Sequence, residues 1–210
     1  MTTSPQPLDS AATTGTGKVL WHFTMSLDGF IAGPNHTLDW MTGSTETPGL
    51  VQSYAETTGA VLAGRDGFQV TPDVSGIYGG TWQGPVFILT HHPEDAPHAE
   101  GATILSCDVA EACRVALDAA GGKNLEVFSA SIGRQLLPLG LIDEIHLHIA
   151  PLLLGDGIRL YDNPGGTPVR LELLNGDERT AAVNVRYRPT APQGAGSAAG
   201  RPRPVQVHRG

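Results

Sequence analysis

Short apolar runs alternate with helix-like stretches along most of the chain, the order expected of an α/β sheet. Residues 18–24 (KVLWHFT) predict a first strand, followed by a turn at Asp28-Gly29. Thr47-Pro48 is a capping residue with proline at the first helical position. It predicts a helix through Tyr54-Ala55-Glu56 that stops at Gly59. Residues 60–63 and 85–90 (PVFILT) are continuously apolar, as strands buried on both faces are, and 102–106 is another short run. Asp108 with Glu111 three residues on makes a capping box, starting a helix that ends at Gly121-Gly122. Residues 125–128 lead through Ser129-Ala130-Ser131 into a helix-like run ending near Leu139-Gly140. Residues 142–150 alternate, with Ile145, Leu147 and Ile149 on one side and Glu144, His146 and His148 on the other. Residues 169–174 and 182–187 predict a final pair around Asn175-Gly176-Asp177. The result is one domain over residues 18–189 with about eight strands, parallel at first and antiparallel at the end, and no internal repeat.

Residues 1–17 and 190–210 lack this periodicity and read as disordered tails. Neither a signal peptide nor a stretch of about 20 apolar residues is present, so a soluble, cytoplasmic chain without membrane contact is expected. The formal net charge of −8 argues against nucleic acid, because phosphate binding relies on clustered Lys and Arg. Cys107 and Cys113 have no CxxC spacing, so neither a disulfide scaffold nor a structural zinc is indicated. The 27 glycines and 16 prolines make about a fifth of the chain, against a usual share of roughly 12%. Part of this surplus lies in the tails, and much of the rest at Gly64, Gly67, Gly155, Gly157 and the loop 76–84.

Open α/β sheets bind ligands at the carboxyl ends of strands, where loops lead into helix N-termini. Three such turns carry small or hydroxyl residues: Gly64-Arg65-Asp66-Gly67, Thr90-His91-His92 and Ser129-Ala130-Ser131-Ile132. Each alone reads first as an ordinary strand-to-helix turn, while three in one sheet point to a ligand cleft. Asp28 is the first candidate for a proton donor, and its plain alternative is a common Asp-Gly turn. Trp40 is either a stacking wall for a substrate or a buried aromatic. Residues 66–84, with Phe68, Tyr78 and Trp82 among glycines, read as a lid over a flat ring or as a packed Ω-loop. His146 and His148 lack further metal ligands and read as a polar sheet face under a helix or at a dimer contact, so no metal is expected.

Four stretches carry a family likeness: residues 25–32 (MSLDGFIA), the strand ending Leu62-Ala63-Gly64-Arg65, residues 85–93 (PVFILTHHP), and the block 127–161. The most specific parts are 131–135 (SIGRQ), 140–146 (GLIDEIH) and 150–157 (APLLLGDG). They resemble the dihydrofolate-reductase-like superfamily, and within it the reductase domain of the bifunctional riboflavin-biosynthesis deaminase-reductase and its stand-alone bacterial relatives. The likeness covers nearly all of residues 18–189. It implies a three-layer α/β fold, with a central mixed, mostly parallel sheet of about eight strands flanked by helices, and often a homodimer. It also implies NADPH laid over strand ends, with hydride passing to a C=N or C=O carbon of a small heterocyclic or carbonyl substrate.

On this chain the implied cofactor positions are Gly64, Arg65, Thr90, His91, Ser129, Ala130, Ser131, Ile132, Gly155 and Gly157, with Arg65 as a bidentate phosphate clamp or, on its plain alternative, a surface salt bridge. Asp28 would then lie near the nicotinamide as the catalytic acid, with Trp40, Tyr78 and Trp82 toward the substrate. Two positions depart from the family pattern. Asp66-Gly67 replaces a basic residue followed by Thr, and Ser129 replaces a glycine where pyrophosphate normally meets bare backbone. These departures motivate a second reading, a non-catalytic ligand-binding protein on the same fold, and a flavin-type ligand in the same cleft is a third. The chain has no His/Cys set for zinc deamination, so a riboflavin-pathway role is not implied and the substrate stays open.

Overall fold

The computed structural model describes residues 17–41, 49–70, 73–95 and 101–174. One compact unit runs through Gly166 and a second starts at Thr167; residues 167–174 form no helix or strand. The strand expected over 169–174 is therefore absent. The strand expected over 182–187, both tails except Gly17, and the Thr47-Pro48 cap lie outside the described residues.

Six strands form one sheet: β1 (Val19–Ser26), β3 (Thr58–Gly64), β4 (Val86–Leu89), β5 (Ala102–Leu105), β6 (Asn124–Phe128) and β7 (Glu144–Ala150). Their order is β5-β4-β3-β6-β1-β7, and every neighbouring pair is parallel. The remaining two, β2 (Phe30–Ala32) and β8 (Ile158–Arg159), make a separate antiparallel ribbon. Eight strands thus occur among the described residues, with the antiparallel pairing confined to that ribbon.

Both faces of the sheet are covered, which explains the continuous apolar runs in β3 and β4. On one face Trp21, Leu62, Leu125 and Val127 pack with Ala112, Cys113, Ala116 and Leu117 of α3 (Val109–Ala119) and with Ile132 and Leu136 of α4 (Ala130–Leu136). On the other face Val61, Val86 and Ile88 meet Phe68 of α2 (Arg65–Val70) and Trp82, with Ala55 of α1 (Leu50–Thr57) against them. Val61 and Leu62 point to opposite layers because successive strand side chains alternate.

The local signals explain the element ends. Asp108 caps α3 by accepting from the Glu111 N–H at 2.9 Å, and the chain leaves the helix at Gly121 and Gly122, both at positive φ. Arg114 ties the exposed face to Glu111 and Asp118 at 2.7 and 2.8 Å. The helix expected to stop at Gly59 ends earlier, and β3 starts at Thr58 without a turn. Thr58 is buried, and its hydroxyl donates to Glu126 of the neighbouring strand at 3.2 Å, drawing this residue into the sheet.

Of the segment 66–84, the described residues begin as α2, and residues Val74–Gly80 form a 3-10 stretch kinked at Ile77, Tyr78 and Gly79. No described helix is long and apolar enough to cross a membrane.

Candidate active site

A cleft of about 1300 Å³ opens over the carboxyl ends of the central strands. Phe23 and Thr24 of β1, Gly64 of β3, and Phe128 with Ser129 after β6 line its floor. Tyr54 of α1 and Tyr78 of the 3-10 stretch line it on the α1 side of the sheet. The approach of β3 to the start of α4 is close: a Cβ on Gly64 would lie 2.9 Å from Ser129 Oγ. Ser129 Oγ in turn accepts the Ile132 N–H at 3.3 Å, capping α4, and sits 3.1 Å from Ser131 Oγ. Arg134 of α4 also lines the cleft, half-buried and with no ion pair among the described residues.

The α1 side carries a polar network. His22 Nδ1 lies 3.1 Å from Glu126 Oε2, and its Nε2 lies 2.9 Å from His148 Nε2. Tyr54 stacks on the His22 ring at a centroid distance of 4.0 Å, and its hydroxyl meets His146 Nδ1 at 2.8 Å. His146 Nε2 reaches Glu144 at 2.7 Å, and Lys18, just ahead of β1, pairs with Glu144. Hydrogen bonds from Lys18 and His146 hold the Glu144 carboxyl below its ordinary value. Burial, then the charges of Glu126 and Glu144, pushes the Tyr54 phenol up to about 12. Burial, followed by the Glu126 charge, raises Tyr78 as well. Among the described residues no group of three or more His, Cys, Asp or Glu is arranged to hold a metal ion.

The model of the family described as "RibD C-terminal domain" matches residues 17–181. The chain belongs to the RibD C-terminal domain family. Solved structures share its fold. A putative riboflavin biosynthesis protein from Shewanella sp. PV-4 is 22% identical, with TM-score 0.57, covering 71% of this chain and 86% of that one. RibD of Acinetobacter baumannii is 21% identical with TM-score 0.56, covering 77% of this chain. The Thermotoga maritima diaminohydroxyphosphoribosylaminopyrimidine deaminase/5-amino-6-(5-phosphoribosylamino)uracil reductase is 16% identical with TM-score 0.53, covering 76% of this chain. The aligned region spans 55% and 52% of those last two chains, about half of each. The chain has no significant match among curated proteins.

Within this RibD C-terminal domain the residues singled out from sequence divide into three groups. Gly64, Ser129, Ala130, Ser131 and Tyr78 line the cleft together, while Ile132 is buried just behind it and contributes its N–H to the cap. Arg65, Thr90, His91, Gly155 and Gly157 do not line it. Arg65 Nε lies 3.3 Å from Asp66 Oδ1, so the expected clamp is partly occupied by its own neighbour, and Asp66 and Gly67 line the cleft instead. Thr90 is buried and accepts the His92 N–H at 3.1 Å, closing its own turn. Gly157 sits at φ +140° with the Ala32 carbonyl where a Cβ would be, so it serves the β2–β8 ribbon.

Asp28, Trp40 and Trp82 lie outside the lining. Asp28 accepts from Ser26 Oγ at 2.6 Å and from the N–H groups of Leu154 and Gly155 at 3.0 and 2.8 Å. These bonds, Ser26 first, hold its carboxyl down at about 2. A group so held is ionised at neutral pH and has no proton to give; its work here is to pin the 154–155 loop to β1. Trp82 is a core residue whose Nε1 donates to the Thr58 carbonyl at 2.9 Å. The Trp40 indole nitrogen is buried with no hydrogen-bond partner among the described residues, while Leu38 and Met41 on either side reach the cleft.

Residues that sequence reasoning passed over include His22, Tyr54, Glu126 and Arg134. Glu126 carried a signal, a lone acid inside the apolar run LEVF.

Proposed function

We propose that this chain is an NADPH-dependent reductase that delivers hydride to a C=N or C=O carbon of a small heterocyclic or carbonyl substrate. The supporting observation is the strand-end cleft. It is roomy enough for an extended ligand and floored where Gly64 and the Ser129–Ser131 turn bring backbone and hydroxyls together. Ligand pockets commonly enclose about 300–1,000 Å³, and the larger cleft suits a dinucleotide with a second molecule beside it. Gly64 adds no side chain at the end of β3, Ser131 offers a hydroxyl donor, and Arg134 supplies the cation for a phosphate. Tyr54, Tyr78 and Phe128 give a flat ring an aromatic side to lie against. The nicotinamide, when bound, supplies the hydride; the chain positions it and excludes water. A cytoplasmic location and a homodimer belong to the same proposal, and light scattering checks the second.

The experiment is to follow nicotinamide absorbance with NADPH and 5-amino-6-(5-phosphoribosylamino)uracil, the compound named for the Thermotoga reductase, beside simpler imines and carbonyls. Oxidation of NADPH dependent on one of these acceptors supports the proposal; NADPH binding without any oxidation favours the second reading. That second reading, a ligand-binding protein without hydride chemistry, draws on Ser129 Oγ taking the Ile132 N–H and on Asp66 lining the cleft.

A further inference from the structure

The α1 side of the cleft holds more acid–base machinery than a packed sheet face requires. Glu126 is fully buried, and its two oxygens meet Thr58 Oγ1 at 3.2 Å and His22 Nδ1 at 3.1 Å. Both neighbours can donate, as an acceptor-only carboxylate requires. His22 then carries its proton on Nδ1. At the 2.9 Å contact with His148, the bare His22 Nε2 accepts from the His148 Nε2–H, leaving His148 Nδ1 with its lone pair.

One added proton reverses the middle bond. His22 now holds protons on both nitrogens and donates from Nε2, and the His148 proton sits on Nδ1. His148 lines the cleft, and its Nδ1 has no hydrogen-bond partner among the described residues. His146, two residues away, differs in this respect, since Tyr54 and Glu144 engage both of its nitrogens.

We propose that Glu126, His22 and His148 form a proton relay whose outlet is His148 Nδ1, and that it delivers the proton accompanying hydride transfer. This rests on the reductase reading. In the step, the His148 Nδ1–H bond breaks and an N–H or O–H bond forms on the substrate atom next to the carbon that receives hydride from NADPH. The proton on His22 Nε2 moves to His148 Nε2, and both imidazoles end neutral, with His22 Nδ1–H still on Glu126. The groups facing the pair are Glu126 from β6, His146 and Glu144 from β7 with Lys18 on Glu144, Tyr54 from α1, and Tyr78, whose hydroxyl is 3.5 Å from His22 Nδ1. Both phenols stay protonated near neutrality, so the proton moves through the imidazoles. Burial first, then the charges of His22 and His146, lowers His148, while Glu126 opposes them; this disfavours a cationic His148 and matches a loaded pair in which that ring is neutral.

The test is nitrogen-resolved NMR of the imidazoles of the full chain across pH, with equilibrium titration of NADPH alongside. The relay requires His22 Nδ1 to be an N–H at every pH. It also requires one shared proton uptake by His22 and His148, and the Nε2–H tautomer of His148 on the alkaline side. Glu126→Gln should move that shared transition down by about one pH unit, a tenfold loss of proton affinity. Where Glu126→Gln does not fold, His148→Asn should leave the His22 transition single and uncoupled. Independent titration of the two rings, or a bare His22 Nδ1, overturns the relay and leaves the reductase reading in place. Failure of the wild type to bind NADPH overturns that reading and leaves the NMR result standing. With NADPH and the acceptor the wild type turns over, His148→Asn should lower kcat about 100-fold with NADPH affinity unchanged. An unchanged kcat overturns the delivery of the proton.

Discussion

Gly133→Ala sets two effects of opposite sign against each other. Gly133 lies within α4, where alanine is favoured over glycine by about 1 kcal/mol on helix propensity alone. The structure predicts the reverse outcome. A Cβ there would fall among the ring atoms of Trp21, far inside van der Waals contact. Trp21 is only 1% exposed, and its Nε1 donates to the Ser129 carbonyl at 3.2 Å, so the indole has neither space nor freedom to swing aside. Overpacking a rigid core site costs about 1–3 kcal/mol, enough to cancel the propensity gain and exceed it. A net loss of up to about 2 kcal/mol corresponds to a fall of up to roughly 8 °C in Tm for a domain of this size. Because α4 also carries Arg134 into the cleft, its displacement should move that cation and weaken NADPH binding. Thermal and denaturant unfolding of Gly133→Ala provide the assay, repeated in a Trp21→Leu background where the ring is gone and the substitution should become neutral or stabilising. A Gly133→Ala protein as stable as the wild type with Trp21 present would refute the packing argument.

Asp28 has a folded pKa of about 2 against an ordinary 3.8, so its contribution to stability is present above pH 3.8 and lost as the pH falls toward 2. Asp28→Asn should therefore flatten the fall of Tm across that window, and melting curves of both proteins that drop in parallel contradict the clamp. Trp82→Phe removes the donor to the buried Thr58 carbonyl and should cost about 1–3 kcal/mol in denaturant unfolding while leaving NADPH affinity unchanged. A change in affinity without loss of stability would restore Trp82 to a lid role. Ser129→Gly frees the Ile132 N–H and the space beside Gly64 at a cap cost of a few tenths of a kcal/mol, so NADPH should bind more tightly by fluorescence titration. Weaker binding would instead show that the Ser129 hydroxyl holds the cofactor.

The parts of this fold visible in the sequence are those written locally. The capping box at Asp108 and Glu111, the apolar runs of β3 and β4, and the alternation across β7 each report a backbone state through near neighbours. Trp82 is not assignable locally, because aromatics spaced among glycines have no period. What assigns it to the core is the packing of Val61, Val86 and Ile88 around it, which no local window contains. The turn position of Asp28 just past β1 is legible locally, yet its role depends on the N–H groups of Leu154 and Gly155, more than a hundred residues away. The polar network was hidden for the same reason. His22 and His148 are 126 residues apart and meet only because β1 lies between β6 and β7, a strand order that periodicity does not encode.

The central claim is that the strand-end cleft binds NADPH, and equilibrium titration of the full chain with NADPH, read by nicotinamide fluorescence, tests it most directly. The account predicts saturable binding that weakens when Arg134 is replaced by alanine or Gly64 by valine. No binding at millimolar cofactor would contradict it.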